Sequence, residues 1–151
     1  MSILLEVKNL VTQFQSENYI TKAVNDVSFS LEHGKTLGIV GESGSGKSVT
    51  ALSIMQLIAT PPGKITGGQI LFHETNGNVT NLLSLPEEKM RSYRGNRISM
   101  IFQEPMTSLN PVFRCGDQII EAITLHQKVS KEEARARTIQ LLKEVELPRP
   151  E

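Results

Sequence analysis

The chain has 151 residues, which is enough for one domain with a sizeable hydrophobic core. Its 16 basic and 16 acidic side chains balance, so no overall charge directs it to nucleic acid or to an anionic membrane surface. It has no apolar run of transmembrane length, and its first residues show no features of a signal peptide. Its single cysteine, Cys115, rules out an internal disulfide and favours a reducing, cytosolic setting.

The first third of the chain predicts strands and a helix around a glycine-rich loop. Residues 3–10 and 24–31 show the alternation of half-buried strands, and the polar stretch 13–21 between them predicts a loop. The apolar run 36–40 predicts a buried strand. A helix is expected over residues 49–59, ending before a Pro-Pro-Gly turn.

Residues 41–48 read Gly-Glu-Ser-Gly-Ser-Gly-Lys-Ser and fit the phosphate-binding pattern G-x-x-x-x-G-K-[ST]. The glycines let the backbone approach a phosphate closely, and the loop and the helix N-terminus supply N–H donors. Lys47 can reach the β- and γ-phosphates, and the Ser48 hydroxyl can bind Mg²⁺. The alternative is a glycine-rich turn that binds nothing, but the pattern would occur by chance in only roughly 0.5% of chains this long. The predicted nucleotide-binding residues here are Gly41, Glu42, Ser43, Gly44, Ser45, Gly46, Lys47, Ser48 and Val49.

The rest of the chain predicts a hairpin, short helices and one more strand. Turn signals over 64–83 favour a hairpin, and residues 86–91 favour a short helix that begins with proline. Residues 98–102 predict a second buried strand, followed by a loop. Residues 116–127 predict a helix, and the capping box of Ser130 and Glu133 opens another. Cys115 is expected to be a small buried residue.

A P-loop NTPase also needs an acidic residue on a second strand to hold Mg²⁺ and order a water. No segment fits this requirement well. Glu74 follows a short apolar run, but in a turn-rich region where a solvated carboxylate is the simpler interpretation. Residues 98–104 end in Gln103-Glu104, with glutamine where aspartate would be expected. The three histidines are scattered, without metal-binding spacing.

Gln103 lies in a segment that is typical of a known family. Residues 101–111 read Ile-Phe-Gln-Glu-Pro-Met-Thr-Ser-Leu-Asn-Pro and resemble the Q-loop of ATP-binding subunits of ABC transporters. Residues 41–53 and 23–29 are similar to the same family, more narrowly to its oligopeptide, dipeptide, nickel and glutathione importer group. The resemblance is collinear and covers essentially the whole chain.

The resemblance implies an α/β fold, the P-loop NTPase fold of ABC ATPases, in incomplete form. Residues 1–112 would be a partial ATP-binding core with the P-loop, an antiparallel β region and the Q-loop, and 113–151 would begin the helical subdomain. The signature motif, the second acidic strand with its catalytic Glu, and the switch His follow later in family members. The 151 residues alone are therefore not expected to hydrolyse ATP.

The resemblance also implies roles for single residues, with ATP and Mg²⁺ as cofactors. Phe14 occupies the place of the aromatic residue that stacks on adenine, with Tyr19 as the alternative. Lys47 and Gln103 would be the catalytic-site residues, Gln103 contacting the attacking water and coupling the site to the membrane subunits. Ser48 and Gln103 would contact Mg²⁺.

The implied function is ATP-driven uptake of peptides or a related small solute. The implied partners are a second ATP-binding subunit, transmembrane permease subunits and, indirectly, a solute-binding protein, with no nucleic acid. The location would be peripheral, at the cytoplasmic face of the cell membrane. Two alternatives are a non-catalytic nucleotide-binding fragment and a P-loop small-molecule kinase, for which Arg91, Arg94 and Arg97 would be a weak lid-like cluster.

Overall fold

The structure is a computed structural model that describes residues 2–103 and 108–149. The chain forms two compact units, Met1–Met90 and Arg91–Glu151. This division by compactness does not test the predicted boundary between the ATP-binding core and the helical subdomain at residues 112 and 113, which stays a prediction. In the described parts of the chain, no helix is long and apolar enough to cross a membrane.

The first unit contains a four-stranded antiparallel sheet in the order β2-β1-β3-β4. The strands are β1 (Ile3–Gln15), β2 (Ile20–Glu32), β3 (Gly63–His73) and β4 (Val79–Asn81). A 3₁₀ turn (Leu82–Ser84) follows β4. The predicted hairpin over 64–83 is confirmed as β3 and β4.

The first two strands are longer than the sequence pattern predicts, and the expected loop over 13–21 is mostly wrong. Gln13 pairs with Lys22 and Gln15 with Ile20, which leaves only residues 16–19 as the connection. The end of this hairpin is largely exposed to solvent, so its strands carry polar side chains and lack the alternation that marks a half-buried strand.

The core of the first unit lies under one face of this sheet. Val7, Leu10, Val24 and Ile70 are buried there. The helix α1 (Lys47–Ile54) packs against the sheet, and the buried hydroxyl of its Ser53 contacts Thr12 on β1. It ends earlier than residue 59, as Gln56 just beyond it adopts a left-handed backbone with φ of 50°.

Residues 36–40 do not form the predicted strand. They pair with none of the four strands, and Val40 is 93% exposed. The same holds for the predicted strand at 98–102, where Ile98 makes a single parallel bridge to Arg94. A strand needs a neighbouring backbone along its length to satisfy its N–H and C=O groups, and the described residues supply no continuous partner strand to either segment.

The second unit is mainly helical. Helix α2 (Glu87–Tyr93) begins in the first unit and ends just inside the second. The second unit then contains α3 (Cys115–His126) and α4 (Lys131–Glu144). All three predicted helices are confirmed. The capping box of α4 is present in both directions, with Ser130 Oγ accepting from the Glu133 N–H and the Glu133 carboxylate accepting from the Ser130 N–H. Cys115 is exposed, contrary to expectation, because it is the first residue of α3 on a solvated turn.

Candidate functional site

The glycine-rich loop leads directly into α1, as the motif predicts. Gly46 is the N-cap of α1 and has a left-handed backbone with φ of 91°. A Cβ at this position would collide with the carbonyl oxygen of Ala23 on β2. Glycine is therefore required at Gly46 both by the backbone angle and by the contact with β2.

The side chain of Lys47 folds back over the loop. Its Nζ donates to the carbonyl oxygens of Gly41 at 2.8 Å and Glu42 at 2.7 Å, and it lies 3.3 Å from Ser45 Oγ. These three acceptors are neutral oxygens. Phosphate oxygens carry charge and form stronger hydrogen bonds with an ammonium group, so a bound phosphate can compete for the Lys47 donors.

The N-terminus of α1 is open to an anion. Thr50 N–H makes the first helical bond, to the Gly46 carbonyl at 2.8 Å. The N–H groups of the preceding residues, Lys47 to Val49, have no carbonyl one turn earlier within the helix, and the glycine cap has no side chain to cover them. The Ser48 side chain is exposed. Uncovered donors at a helix N-terminus attract phosphate groups.

A cavity of about 450 Å³ lies beside the loop. Residues of the glycine-rich loop and of α1 form one wall, and apolar side chains of β2 and of the segment before the loop form the other. This volume is within the usual range of roughly 300–1,000 Å³ for small-molecule sites. The lining residues are Val27, Phe29, Leu37, Gly38, Ile39, Val40, Gly41, Ser45, Gly46, Lys47 and Thr50.

The two aromatic candidates for base stacking both lie in the β1–β2 hairpin. Phe14 is half-buried, and its ring edge lies so close to Gly63 that a Cβ there would be 2.9 Å from Phe14 Cε1. Tyr19 lies in the connecting turn and is 66% exposed. Phe14 is thus the more firmly held of the two, and Tyr19 the more accessible.

Gln103 lies in the second unit, in the irregular segment after Ile98, and its side chain is exposed. Its neighbour Glu104 falls outside the described residues. Glu74 follows β3 and is half-exposed, which agrees with its interpretation as a loop carboxylate. Across residues 2–103 and 108–149, no group of three or more His, Cys, Asp or Glu side chains could hold a metal ion.

Three residues beside the loop were not predicted from the sequence. The Ala23 carbonyl oxygen lies directly against Gly46, and Thr12 on β1 hydrogen-bonds Ser53 on α1 inside the core. No motif marks these positions, since threonine, serine and alanine are ordinary residues of strands and helices.

The family comparison agrees with the loop geometry. The profile of the ABC transporter family matches residues 24–150. The chain is 48% identical to the probable peptide ABC transporter ATP-binding protein y4tR of Sinorhizobium fredii, over 99% of this chain and 43% of that protein. It is 49% identical to the oligopeptide transport ATP-binding protein OppD of Bacillus subtilis, over 98% of this chain and 40% of that protein.

A third relative is the glutathione import ATP-binding protein GsiA of Pectobacterium atrosepticum, 48% identical over 96% of this chain and 23% of that protein. The chain thus spans less than half the length of these relatives. The resemblance to the peptide and glutathione importer group is confirmed. The family match also contradicts the small-molecule kinase alternative.

Solved structures show the same fold. A bacterial ABC transporter cassette, MJ0796, solved as a dimer, superposes with a TM-score of 0.77 at 24% identity, over 97% of this chain and 59% of that one. The same cassette in a post-hydrolysis state bound to ADP and Pi gives 0.75 at 23% identity, with the same coverage. The fold is therefore the predicted α/β fold of an ABC ATPase cassette, represented here in part. With its P-loop, its fold and its sequence match all in agreement, this chain belongs to the ABC transporter family.

Proposed function

We propose that this chain is the nucleotide-binding part of an ABC importer subunit, which couples ATP binding and hydrolysis to uptake of peptides or a related small solute. The observation that carries this proposal is the loop 41–48, closed by Lys47 and followed by an uncovered helix N-terminus. The relatives named as peptide, oligopeptide and glutathione import proteins support the solute class.

The proposed ligand is ATP with Mg²⁺. The phosphates would be bound by the N–H groups of the loop and by Lys47, whose ammonium would move from the Gly41 and Glu42 carbonyls to phosphate oxygens. The Ser48 hydroxyl and the Gln103 amide oxygen would contact Mg²⁺, and the remaining ligands would be phosphate oxygens and water. Mg²⁺ supplies charge neutralisation during phosphoryl transfer when it is bound.

The proposed partners follow from the same family assignment. A second ATP-binding subunit would face the loop, and permease subunits would receive the motion through the segment around Gln103. The subunit would be peripheral, at the cytoplasmic face of the membrane, and a solute-binding protein would deliver the solute to the permease. The dimeric form of the structural neighbour supports the first of these partners.

The test is uptake by the reconstituted transporter. The full-length gene product, its permease subunits and its solute-binding protein would be placed in proteoliposomes, and uptake of labelled oligopeptides and glutathione measured with and without MgATP. We expect ATP-dependent uptake of at least one of them, lost in Lys47→Ala and retained in Lys128→Ala, an exposed lysine between α3 and α4. Uptake of neither solute, or uptake unaffected by Lys47→Ala, would contradict the proposal.

A further inference from the structure

Two buried hydroxyl groups connect the sheet to the P-loop helix. Thr12 lies on β1 and Ser53 in the last turn of α1, and both are 0% exposed. Their side-chain oxygens are 2.8 Å apart. A buried hydroxyl that loses its partner costs free energy. This hydrogen bond therefore favours the one relative position of β1 and α1 in which it can form.

The direction of the hydrogen bonds can be derived from the number of protons. Ser53 Oγ donates to the carbonyl oxygen of Val49 at 2.6 Å, which uses its single hydroxyl proton. The Thr12 hydroxyl must therefore be the donor to Ser53. The result is a chain from β1 through Ser53 to Val49, a residue in the first turn of α1 that directly follows Lys47 and Ser48.

A second close contact with the sheet lies at the other end of the same helix. Gly46 at the start of α1 packs on the carbonyl oxygen of Ala23 on β2. The sheet therefore approaches the helix closely near both ends, at Gly46 against the Ala23 carbonyl and, two turns further on, at Ser53 hydrogen-bonded to Thr12. A close steric contact at one end and a buried hydrogen bond at the other restrict how α1 can shift on the sheet.

The strand that carries Thr12 also carries the candidate base-stacking residue. Thr12, Gln13 and Phe14 pair in unbroken register with β3, so Thr12 and Phe14 lie on the same face of the sheet. Tyr19, the alternative, is in the turn at the end of the same strand. Any shift of β1 relative to α1 would change the distance between the aromatic ring and the phosphate loop.

We infer that the Thr12–Ser53 pair is a positioning device, which sets the geometry between the base-stacking hairpin and the phosphate loop so that both engage one nucleotide. The inference rests on the proposed function, since it presumes that the loop binds a nucleoside triphosphate. Both residues are fully buried, so neither would touch the ligand. Their effect is on how much binding energy the base adds to that of the triphosphate.

The test compares two ligands on the full-length gene product. Dissociation constants for MgATP and for magnesium tripolyphosphate, which has no base, would be measured by calorimetry. Thr12→Val removes the hydroxyl at constant shape. We expect it to lower ATP affinity about threefold to tenfold, a part of the stacking contribution, and to leave tripolyphosphate affinity within about twofold.

Matched variants separate positioning from stability. Thr12→Ser keeps the hydroxyl and should keep the preference for ATP over tripolyphosphate. Thr138→Val removes another buried hydroxyl, one that donates to the Ala134 carbonyl of its own helix at 2.9 Å. This variant should also keep the preference for ATP over tripolyphosphate. If Thr12→Val does not fold, the double variant Thr12→Val/Ser53→Ala leaves neither hydroxyl unpaired and should show the same loss of preference.

Each result has a definite meaning. The inference would be overturned if the folded Thr12→Val or double variant kept the wild-type preference for ATP over tripolyphosphate. It would also be overturned if the affinities for both ligands fell equally. In those cases the proposed function stands, provided that Lys47→Ala weakens both ligands. A wild-type protein that binds neither ligand would overturn the function and the inference together.

Discussion

Lys47 is the side chain through which we propose that the loop recognises phosphate charge. In this structure its ammonium is held by loop oxygens, two of them carbonyl oxygens within 2.8 Å. These contacts keep the loop compact in this structure. A phosphate that accepts from Lys47 must replace these neutral contacts. The net binding free energy from Lys47 is therefore smaller than it would be if the ammonium were free.

The first prediction concerns Lys47→Ala. A charge-assisted hydrogen bond contributes about 1.5–3 kcal/mol, so the variant should bind ATP at least about tenfold more weakly. Isothermal calorimetry on the full-length gene product would measure this, with Lys128→Ala as the charge-matched control. Equal ATP affinity of wild type and Lys47→Ala would contradict the assignment of the loop as a phosphate site.

The second prediction compares the two aromatic candidates. Phe14 offers a ring and no polar group, and base–aromatic stacking is worth about 1–3 kcal/mol. Phe14→Ala should weaken ATP and GTP alike, while Phe14→Tyr should be tolerated because it keeps the ring. Fluorescence titration with both nucleotides would show the effect. If Phe14→Ala binds normally and Tyr19→Ala does not, the exposed Tyr19 is the stacking residue.

The third prediction concerns Gln103. Its amide can order a water and contact Mg²⁺, but it has no charge with which to hold phosphate. In the assembled transporter, Gln103→Ala should therefore lower transport-linked ATP hydrolysis and leave ATP affinity within a few-fold, the scale of a neutral hydrogen bond of about 1 kcal/mol. A steady-state hydrolysis assay with and without solute would measure coupling. Loss of affinity with normal coupled turnover is the contrary result.

At the scale of elements, the contact between β2 and the start of α1 determines how the phosphate loop is held. The Ala23 carbonyl oxygen lies directly against Gly46, so the loop has no space for a side chain there. Gly34, in the turn after β2, provides a comparison. It also has a left-handed backbone, with φ of 69°, but no atom within 4 Å of the place where a Cβ would lie.

The fourth prediction uses this pair of glycines. Gly34→Ala should lose about 1–2 kcal/mol of unfolding free energy, the usual cost of a left-handed backbone for alanine. Gly46→Ala should lose a further ~1–3 kcal/mol from the steric conflict with Ala23, and should bind ATP more weakly because the loop must move. Denaturant unfolding and calorimetry would test both. Equal stability of the two variants would show that the Ala23 contact is unimportant.

At the scale of the whole molecule, residues 36–40 are an apolar segment without strand partners among the described elements. Ile39 and Val40 are 50% and 93% exposed. Exposed apolar backbone with unpaired N–H and C=O groups is a template for pairing with other chains. The 151 residues by themselves are therefore expected to associate.

The fifth prediction is for a purified chain of these 151 residues. It should aggregate in light scattering, and Val40→Lys should reduce the aggregation more than Leu125→Lys, a substitution on α3 at another exposed position, 74% accessible. A phosphate-release assay should show no hydrolysis above the Lys47→Ala background. Turnover that depends on Lys47 would mean that a catalytic base lies within these residues, and Glu104 would be the first candidate.

The features that sequence alone predicted are local ones. The phosphate loop, the capping box of α4 and the extents of α3 and α4 depend on residues within a few positions of one another, so spacing and residue type were sufficient to find them. The family resemblance was equally readable, because residues 41–53 and 101–111 are contiguous motifs.

Only the tertiary structure decided where strands pair and which buried hydroxyls meet. Residues 13–15 are strand because Lys22 and Ile20 lie opposite them, while residues 36–40 are not, although more apolar, because none of the described strands lies beside them. Thr12 and Ser53 are 41 positions apart, and only the packing of β1 on α1 brings their oxygens within 2.8 Å. The sequence by itself determined the chemistry of the phosphate loop, and long-range backbone pairing, which no local pattern encodes, determined the frame that holds it.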